Sequence, residues 1–253
     1  MNKLFSITKE YRLSLTYLKI RFFGLKISVL ENSFLGLLLQ PFIKGNNFGK
    51  NNKIFIIENE IKKEINLKKI KGLCINFFGN NNTIILHKPF TFLRSDFLFQ
   101  GNNSTVEIGK NFQGKIQFMS YGQNSNLKIG EKNYICDLKI LLNSNTLEIG
   151  NNCLISNNVE ILTDCHSVLN FETKEVLNKP LEPIKIGNHV WIGQNVTITK
   201  NTQIPNDCVV GINSTVTKKF EKENCIIAGA PAKIVKENIT WDKENPLTYQ
   251  KTE

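Results

Sequence analysis

The chain has 253 residues, 41% of them hydrophobic, which is enough for one substantial core. Its formal net charge of +10 favours anionic partners, but the lysines are scattered among asparagines without a basic helix or an aromatic–basic motif, which argues against a nucleic-acid binder. The longest clean apolar run, Phe34 to Leu39, is far too short to span a bilayer, and six cysteines without a C-x-x-C pair point to buried reduced thiols rather than disulfides or a metal site.

Residues 1 to about 45 form a segment of their own, without the pattern of a cleavable signal. Tyr11, Leu15, Leu18 and Phe22 sit at helical spacing, with Lys19, Arg21 and Lys26 among them. The spacing predicts a short helix with two uses. It caps the open first unit of whatever follows, as an uncovered β-edge requires, or it rests as a basic amphipathic segment on the inner face of a membrane. Residues 46–72 read as an irregular lead-in.

From Leu73 onward a loose repeat sets in. The turn-like clusters beginning at Gly79, Gly101, Gly122 and Asn143 recur at near-equal intervals. Each is followed by a short alternating strand: Thr83–Leu86, Thr105–Ile108, Leu127–Ile129 and Leu147–Ile149. Asparagine and glycine tolerate left-handed backbone angles, so these clusters suit the corners of a coil.

After Leu147 the repeat becomes strict. Ile186, Ile192, Ile198, Ile204, Val210 and Val216 return every sixth residue, and the residue four places on is small or apolar: Val190, Val196, Thr202, Cys208, Ser214. Neither a helix nor an ordinary strand repeats at six, whereas a solenoid with one flat strand and one corner per hexad does. The same register occurs at Ile149/Cys153, Ile155/Val159 and Ile161/Cys165. The interval from Ile161 to Ile186 exceeds four hexads by one position, so residues 167–183 form a loop thrown out of the solenoid. The expected organisation is an N-terminal cap over 1–45, the lead-in, a parallel β-solenoid over 73–227 and a closing segment over 228–253.

Several motifs together resemble a known family. They are the loop junction Asp164-Cys165-His166-Ser167, the run Gly187-Asn188-His189-Val190-Trp191-Ile192-Gly193 and the closing Ala228-Gly229-Ala230-Pro231-Ala232-Lys233. From Leu147 to Val235 the chain is similar to the hexapeptide-repeat acyltransferases, in particular to galactoside and maltose acetyltransferases and bacterial surface-glycan O-acetyltransferases. The resemblance implies an all-β fold, a left-handed parallel β-helix, with homotrimers, an active site at each subunit interface and acetyl-CoA along the groove between neighbouring solenoids. It implies His166 as the catalytic base and Trp191, past the loop, as the active-site tryptophan, with a backbone N–H near Trp191 as oxyanion donor. Acetyl-CoA contacts carry over onto Ser156, Gln194, Gly211, Ile212, Thr217, Lys218, Lys233 and Lys236, the lysines facing the coenzyme's phosphates with Lys219 beside them. No metal is implied.

His189 is either a turn residue, where asparagine or aspartate would serve equally, or a pocket residue; His87 has no assigned role. The position of the family's acceptor-contacting asparagine is Cys136 here, so the acceptor is handled differently. The long irregular N-terminal half is more like enzymes that decorate capsule or lipooligosaccharide, sialic acid included. The expectation is a cytoplasmic O-acetyltransferase acting on a sugar hydroxyl of a glycan. N-acetylation of an amino sugar and a non-catalytic glycan-binding scaffold are the alternatives. A trimeric zinc anhydrase needs closely spaced histidines that His87, His166 and His189 do not provide.

Overall fold

A computed structural model describes residues 5–12, 15–22, 25–30, 45–66, 70–163, 166–180 and 182–250. Among these there are strands, turns and no helix. Cys165, expected at the inward position after Ile161, and Asp164 of the loop junction lie outside the described residues, as does the apolar run Phe34–Leu39.

The solenoid has three faces. On the first, Lys53–Glu58, Thr83–His87, Thr105–Ile108, Asn126–Ile129, Thr146–Ile149, Ile184–Ile186 and Gln203–Ile204 stack in parallel. The second carries Leu154–Ile155, Trp191–Ile192, Val209–Val210 and Cys225–Gly229. The third carries Val159–Leu162, Thr197–Thr199 and Thr215–Val216. In the earlier coils single nine-residue strands, Phe112–Ser120 and Tyr134–Leu142, run across the corner between second and third faces, with a register shift between Gly114 and Ile116.

The hexad reading is borne out residue by residue. Ile186, Ile192, Ile198, Ile204, Val210 and Val216 are all buried, and so are Val190, Val196, Thr202, Cys208 and Ser214. Side chains alternate across each short strand, so these positions point into the prism and their neighbours point out. The corners follow from backbone sterics. Asn195, Asn201, Asp207 and Asn213 recur every sixth residue at φ of 55–58°, the left-handed region that asparagine and aspartate enter at little cost. Their amides then bond along the axis, Asn158 Nδ2 to Asn195 Oδ1 at 2.9 Å and Asn195 Nδ2 to Asn213 Oδ1 at 3.0 Å.

The earlier coils are wider and are filled by rings. Phe77 and Phe99 lie 4.8 Å apart between centroids, Phe99 and Phe118 5.4 Å, and Phe92 and Phe112 5.2 Å. The last residues of the turn clusters, Asn82, Ser104 and Ser125, are buried, and a polar ladder satisfies them: Ser104 N donates to Asn82 Oδ1 at 2.9 Å and Ser125 N to Ser104 Oγ at 3.2 Å.

Two expectations are corrected. The described residues of the N-terminal segment are not helical: Phe5–Arg12, Leu15–Phe22 and Leu25–Leu30 form a three-stranded antiparallel sheet. Its sequence fits a period of two as well, Leu18, Ile20 and Phe22 alternating with Lys19 and Arg21, and β-branched and aromatic residues favour the strand when partners are at hand. The lead-in is also more regular than expected. Asn46–Asn47 and Lys53–Glu58 already pair with Asn76–Phe77 and Thr83–His87, so the coil stack begins before Leu73. At the other end Cys225–Gly229 turns back on Ala232–Glu237 as an antiparallel hairpin.

Candidate active site

The corner between the second and third faces is built by register alone. Ile135, Ile155, Ile192, Val210 and Ile227 stack in one column, so the residues after them, Cys136, Ser156, Gly193, Gly211 and Ala228, form the next column outward. Side chains here are restricted by the next coil. A Cβ on Gly193 would stand 2.8 Å from the Val210 carbonyl oxygen, and one on Gly211 2.9 Å from the Ala228 methyl. Gln194 and Ile212 occupy the following positions, with Asn213 N bonded to Gln194 O at 2.9 Å, and Ile212 is exposed. Lys233 faces Ala228 across the closing hairpin and Lys236 faces Ile226.

Trp191 lies on the second face beside this corner, with Leu154 and Val209 as its strand partners. It keeps 38% of its surface exposed, and its Nε1 donates to Ser156 Oγ at 3.4 Å. The backbone N–H groups of His189, Trp191 and Gly193 all donate to carbonyls of adjacent coils. The expected backbone oxyanion donors near Trp191 are therefore engaged in the ladder, and the indole N–H is held only by its long bond to Ser156 Oγ.

His166 belongs to the opposite corner, where the third face ends and the loop leaves. Its side chain is exposed, and its carbonyl accepts a bond from Asn178 Nδ2 at 2.8 Å, which ties the start of the loop to its returning limb. Thr217 and Lys218 follow Val216 at that same corner, Lys218 Nζ lying 5.2 Å from the Phe220 ring centroid. Lys219 pairs with Glu182 at the end of the loop. The eight expected coenzyme contacts thus divide: Ser156, Gln194, Gly211, Ile212 and the two hairpin lysines on one side of the third face, Thr217 and Lys218 with His166 on the other. Within one chain, His166 and Trp191 are separated by that whole face.

The chain is 35% identical over 172 residues to the polysialic acid O-acetyltransferase of Neisseria meningitidis, covering 67% of this chain and 80% of that one. It is 30% identical over 177 residues to the galactoside O-acetyltransferase of Escherichia coli (strain K12), covering 70% and 82%. Among solved structures, the polysialic acid O-acetyltransferase OatWY superposes with a TM-score of 0.65 at 30% identity, over 81% of this chain and 92% of that one. The polySia-specific acetyltransferase NeuO gives 0.68 at 27%, over 81% and 91%. No protein-family profile matches the chain. The chain belongs to the hexapeptide-repeat acyltransferase family. Its solenoid is the left-handed parallel β-helix of that family, and it is an O-acetyltransferase by kinship.

Two of the described thiols of the acetyltransferase point into the core rather than toward this corner. Cys153 and Cys208 are fully buried, and burial pushes them up to about 11 and about 12 from the ordinary 9.0, so neither is a thiolate near neutrality. Cys208 Sγ lies 3.6 Å from Cys225 Sγ as a thiol pair. Cys136 sits in the corner column one coil below Ser156, its thiol raised first by burial and then by the neighbouring Asp137 carboxylate. His87 bonds Glu107 at 2.8 Å on the first face, away from both corners. The sequence reading missed one residue, Trp241. It packs against His189 and Trp191, and its sole signal was that it is one of only two tryptophans.

Proposed function

We propose that this acetyltransferase transfers the acetyl group of acetyl-CoA to a hydroxyl of a cell-surface glycan, with a sialic acid residue as acceptor. The observation that carries the acceptor class is the 35% identity to a polysialic acid O-acetyltransferase over most of both chains. The net charge of +10 suits a polyanionic acceptor and an anionic coenzyme.

In this reading both substrates are bound together, and His166 takes the proton of the acceptor hydroxyl as its oxygen attacks the thioester carbonyl. The tetrahedral oxyanion accepts a hydrogen bond from the indole N–H of Trp191, which gives up its long bond to Ser156 Oγ to make it. Collapse expels the coenzyme A thiolate, which takes the proton back from the imidazolium. Imidazole suits the shuttle because its ordinary pKa lies near neutrality.

The division of the site within one chain supports a homotrimer, in which the His166 corner of one subunit meets the Trp191 corner of another. The loop has the apolar surface such a contact needs: Phe171 is 87% exposed, with Val168, Leu169 and Leu177 also open. Lys233 and Lys236 are exposed where the coenzyme's phosphates would emerge. A cytoplasmic location follows from the need for acetyl-CoA. No helix of the described residues is long and apolar enough to cross a membrane.

The test is an acceptor screen with acetyl-CoA, comparing sialylated with non-sialylated glycans by mass spectrometry. The expected result is one acetyl mass added to sialylated acceptors. Acetylation confined to neutral or amino sugars would reject the acceptor assignment. Failure of acetyl-CoA to raise the melting temperature would reject the coenzyme assignment.

A further inference from the structure

His189 departs from the asparagine and aspartate that predominate at its corner. The backbone there has φ of 52°, and the matching positions of the other coils are Asn111 (58°), Lys132 (57°), Asn152 (57°), Asp207 (55°) and Asn224 (56°). Asparagine would meet the backbone requirement at lower cost, and what sets the imidazole apart is the contacts it makes. Its ring stacks on Trp241 with centroids 4.4 Å apart and planes 10° from parallel. Its Nδ1 lies 2.7 Å from Asp207 Oδ1, and a carboxylate there requires the Nδ1–H tautomer, which fixes the ring's orientation.

Trp241 is held from both sides. Its Nε1 donates to the His189 carbonyl at 2.8 Å, and two residues before it the chain is tied to the last corner, with Ile239 N on Asn224 O at 3.0 Å and Asn224 Nδ2 on Ile239 O at 3.2 Å. Only 8% of Trp241 is exposed. Its other neighbour is Trp191, with centroids 6.1 Å apart and planes at 45°, inside the range of attractive aromatic pairs. Trp191 has little else to fix it: a two-residue strand, a 3.4 Å bond to Ser156 and a largely open face.

We infer that Trp241 and His189 are positioning residues for Trp191, Asp207 orienting the imidazole, the imidazole seating Trp241, and Trp241 fixing the rotamer of Trp191. The inference rests on the reading above, in which Trp191 borders the reacting thioester. A ring displaced by about 1 Å at such a site costs up to about a hundredfold in rate.

The test uses the full chain and three variants, His189→Asn, Trp241→Ala and Trp241→Phe. Asparagine keeps the corner backbone, and phenylalanine keeps an aromatic ring against both neighbours. His189→Asn and Trp241→Ala should each lower kcat about tenfold or more with the KM for acetyl-CoA changed less than about twofold, and Trp241→Phe should recover most of the loss. The double variant His189→Asn/Trp241→Ala should lose no more than either single one, because both break one chain of contacts.

Trp191 is the sole tryptophan in the Trp241 variants, so its emission reports its own ordering. It should be red-shifted and lower in anisotropy in Trp241→Ala than in Trp241→Phe. Wild-type kcat in both His189→Asn and Trp241→Ala, or identical emission in the two Trp241 variants, overturns the inference. Should Trp241→Ala not fold, His189→Asn introduced into Trp241→Phe gives the same emission comparison. If the wild-type protein transfers no acetyl group, the functional reading fails, and the emission comparison still decides whether Trp241 orders Trp191.

Discussion

The wide coils and the narrow coils of this solenoid solve the same packing problem differently. On the first face, the strands Thr83–His87, Thr105–Ile108, Asn126–Ile129 and Thr146–Ile149 succeed one another at intervals longer than three hexads that shorten from each coil to the next. The extra residues enlarge the prism, and tilted and edge-on phenylalanines with a buried Asn–Ser ladder fill it. From Ile186 to Val216 a coil is three hexads long, as Trp191 over Val209 and Thr197 over Thr215 show, and the interior admits only Ile and Val backed by Val, Cys, Thr or Ser. Constant coil length is what turns single residues into straight columns. The candidate site therefore lies on the narrow coils, where Ser156, Gly193 and Gly211 form an even track, while the irregular coils below supply length and stability.

The sharpest way to break this division is to remove the chemistry and leave the coils. His166→Ala should lower turnover by roughly 10²–10⁴-fold with the melting temperature and oligomeric state unchanged, since its side chain is exposed; unchanged acetyl transfer by the purified variant rejects His166 as base. The converse removes packing and leaves the site. Phe118→Ala, which takes a ring from between Phe97 and Phe99, should cost about 3–5 kcal/mol in urea unfolding while the folded fraction keeps its kcat. A loss of activity at full folding would show that the two regions are not separable.

Overfilling tests the narrow coils. Val196→Phe, at a fully buried compact position, should destabilise by about 1–3 kcal/mol or more, and wild-type stability would mean that the hexad interior is not close-packed. The last test is alkaline. Cys153 and Cys208 are raised to about 11 and about 12 from 9.0, so the folded state holds their protons more tightly than the unfolded one. That stability is complete below about pH 9 and drains away as the pH climbs toward those folded values. Urea midpoints should fall over that range, and Cys208→Ser should flatten part of the decline.

Much of the architecture was legible because a period of six has few physical solutions. Every aliphatic and compact residue counted into the hexads from Ile186 to Val216 is in the core. The corners of the earlier coils were legible because asparagine is tolerated at positive φ, and Asn81, Asn103 and Asn124 of the turn clusters stand there. The N-terminal segment was misread because Leu18 and Phe22 satisfy a four-residue spacing while Leu18, Ile20 and Phe22 satisfy a two-residue one, and strand partners, absent from any local pattern, decide between them. The first coil was missed because Asn46–Asn47 is too short to register as a strand until Asn76–Phe77 lies beside it.

The sequence by itself determined the three-sided coil, its inward residues and the loop at 167–183, all from spacing along the chain, and its motifs singled out the two candidate site residues. Only the tertiary structure decided that His166 and Trp191 stand on opposite sides of one face, that the N–H groups of Trp191 and Gly193 are already bonded, and that Trp241 returns over a corner 52 residues earlier. Stacking makes neighbours of residues one coil apart, and folding back the C-terminal segment makes neighbours across many coils. Distances of that kind are set by packing, and no local periodicity encodes them.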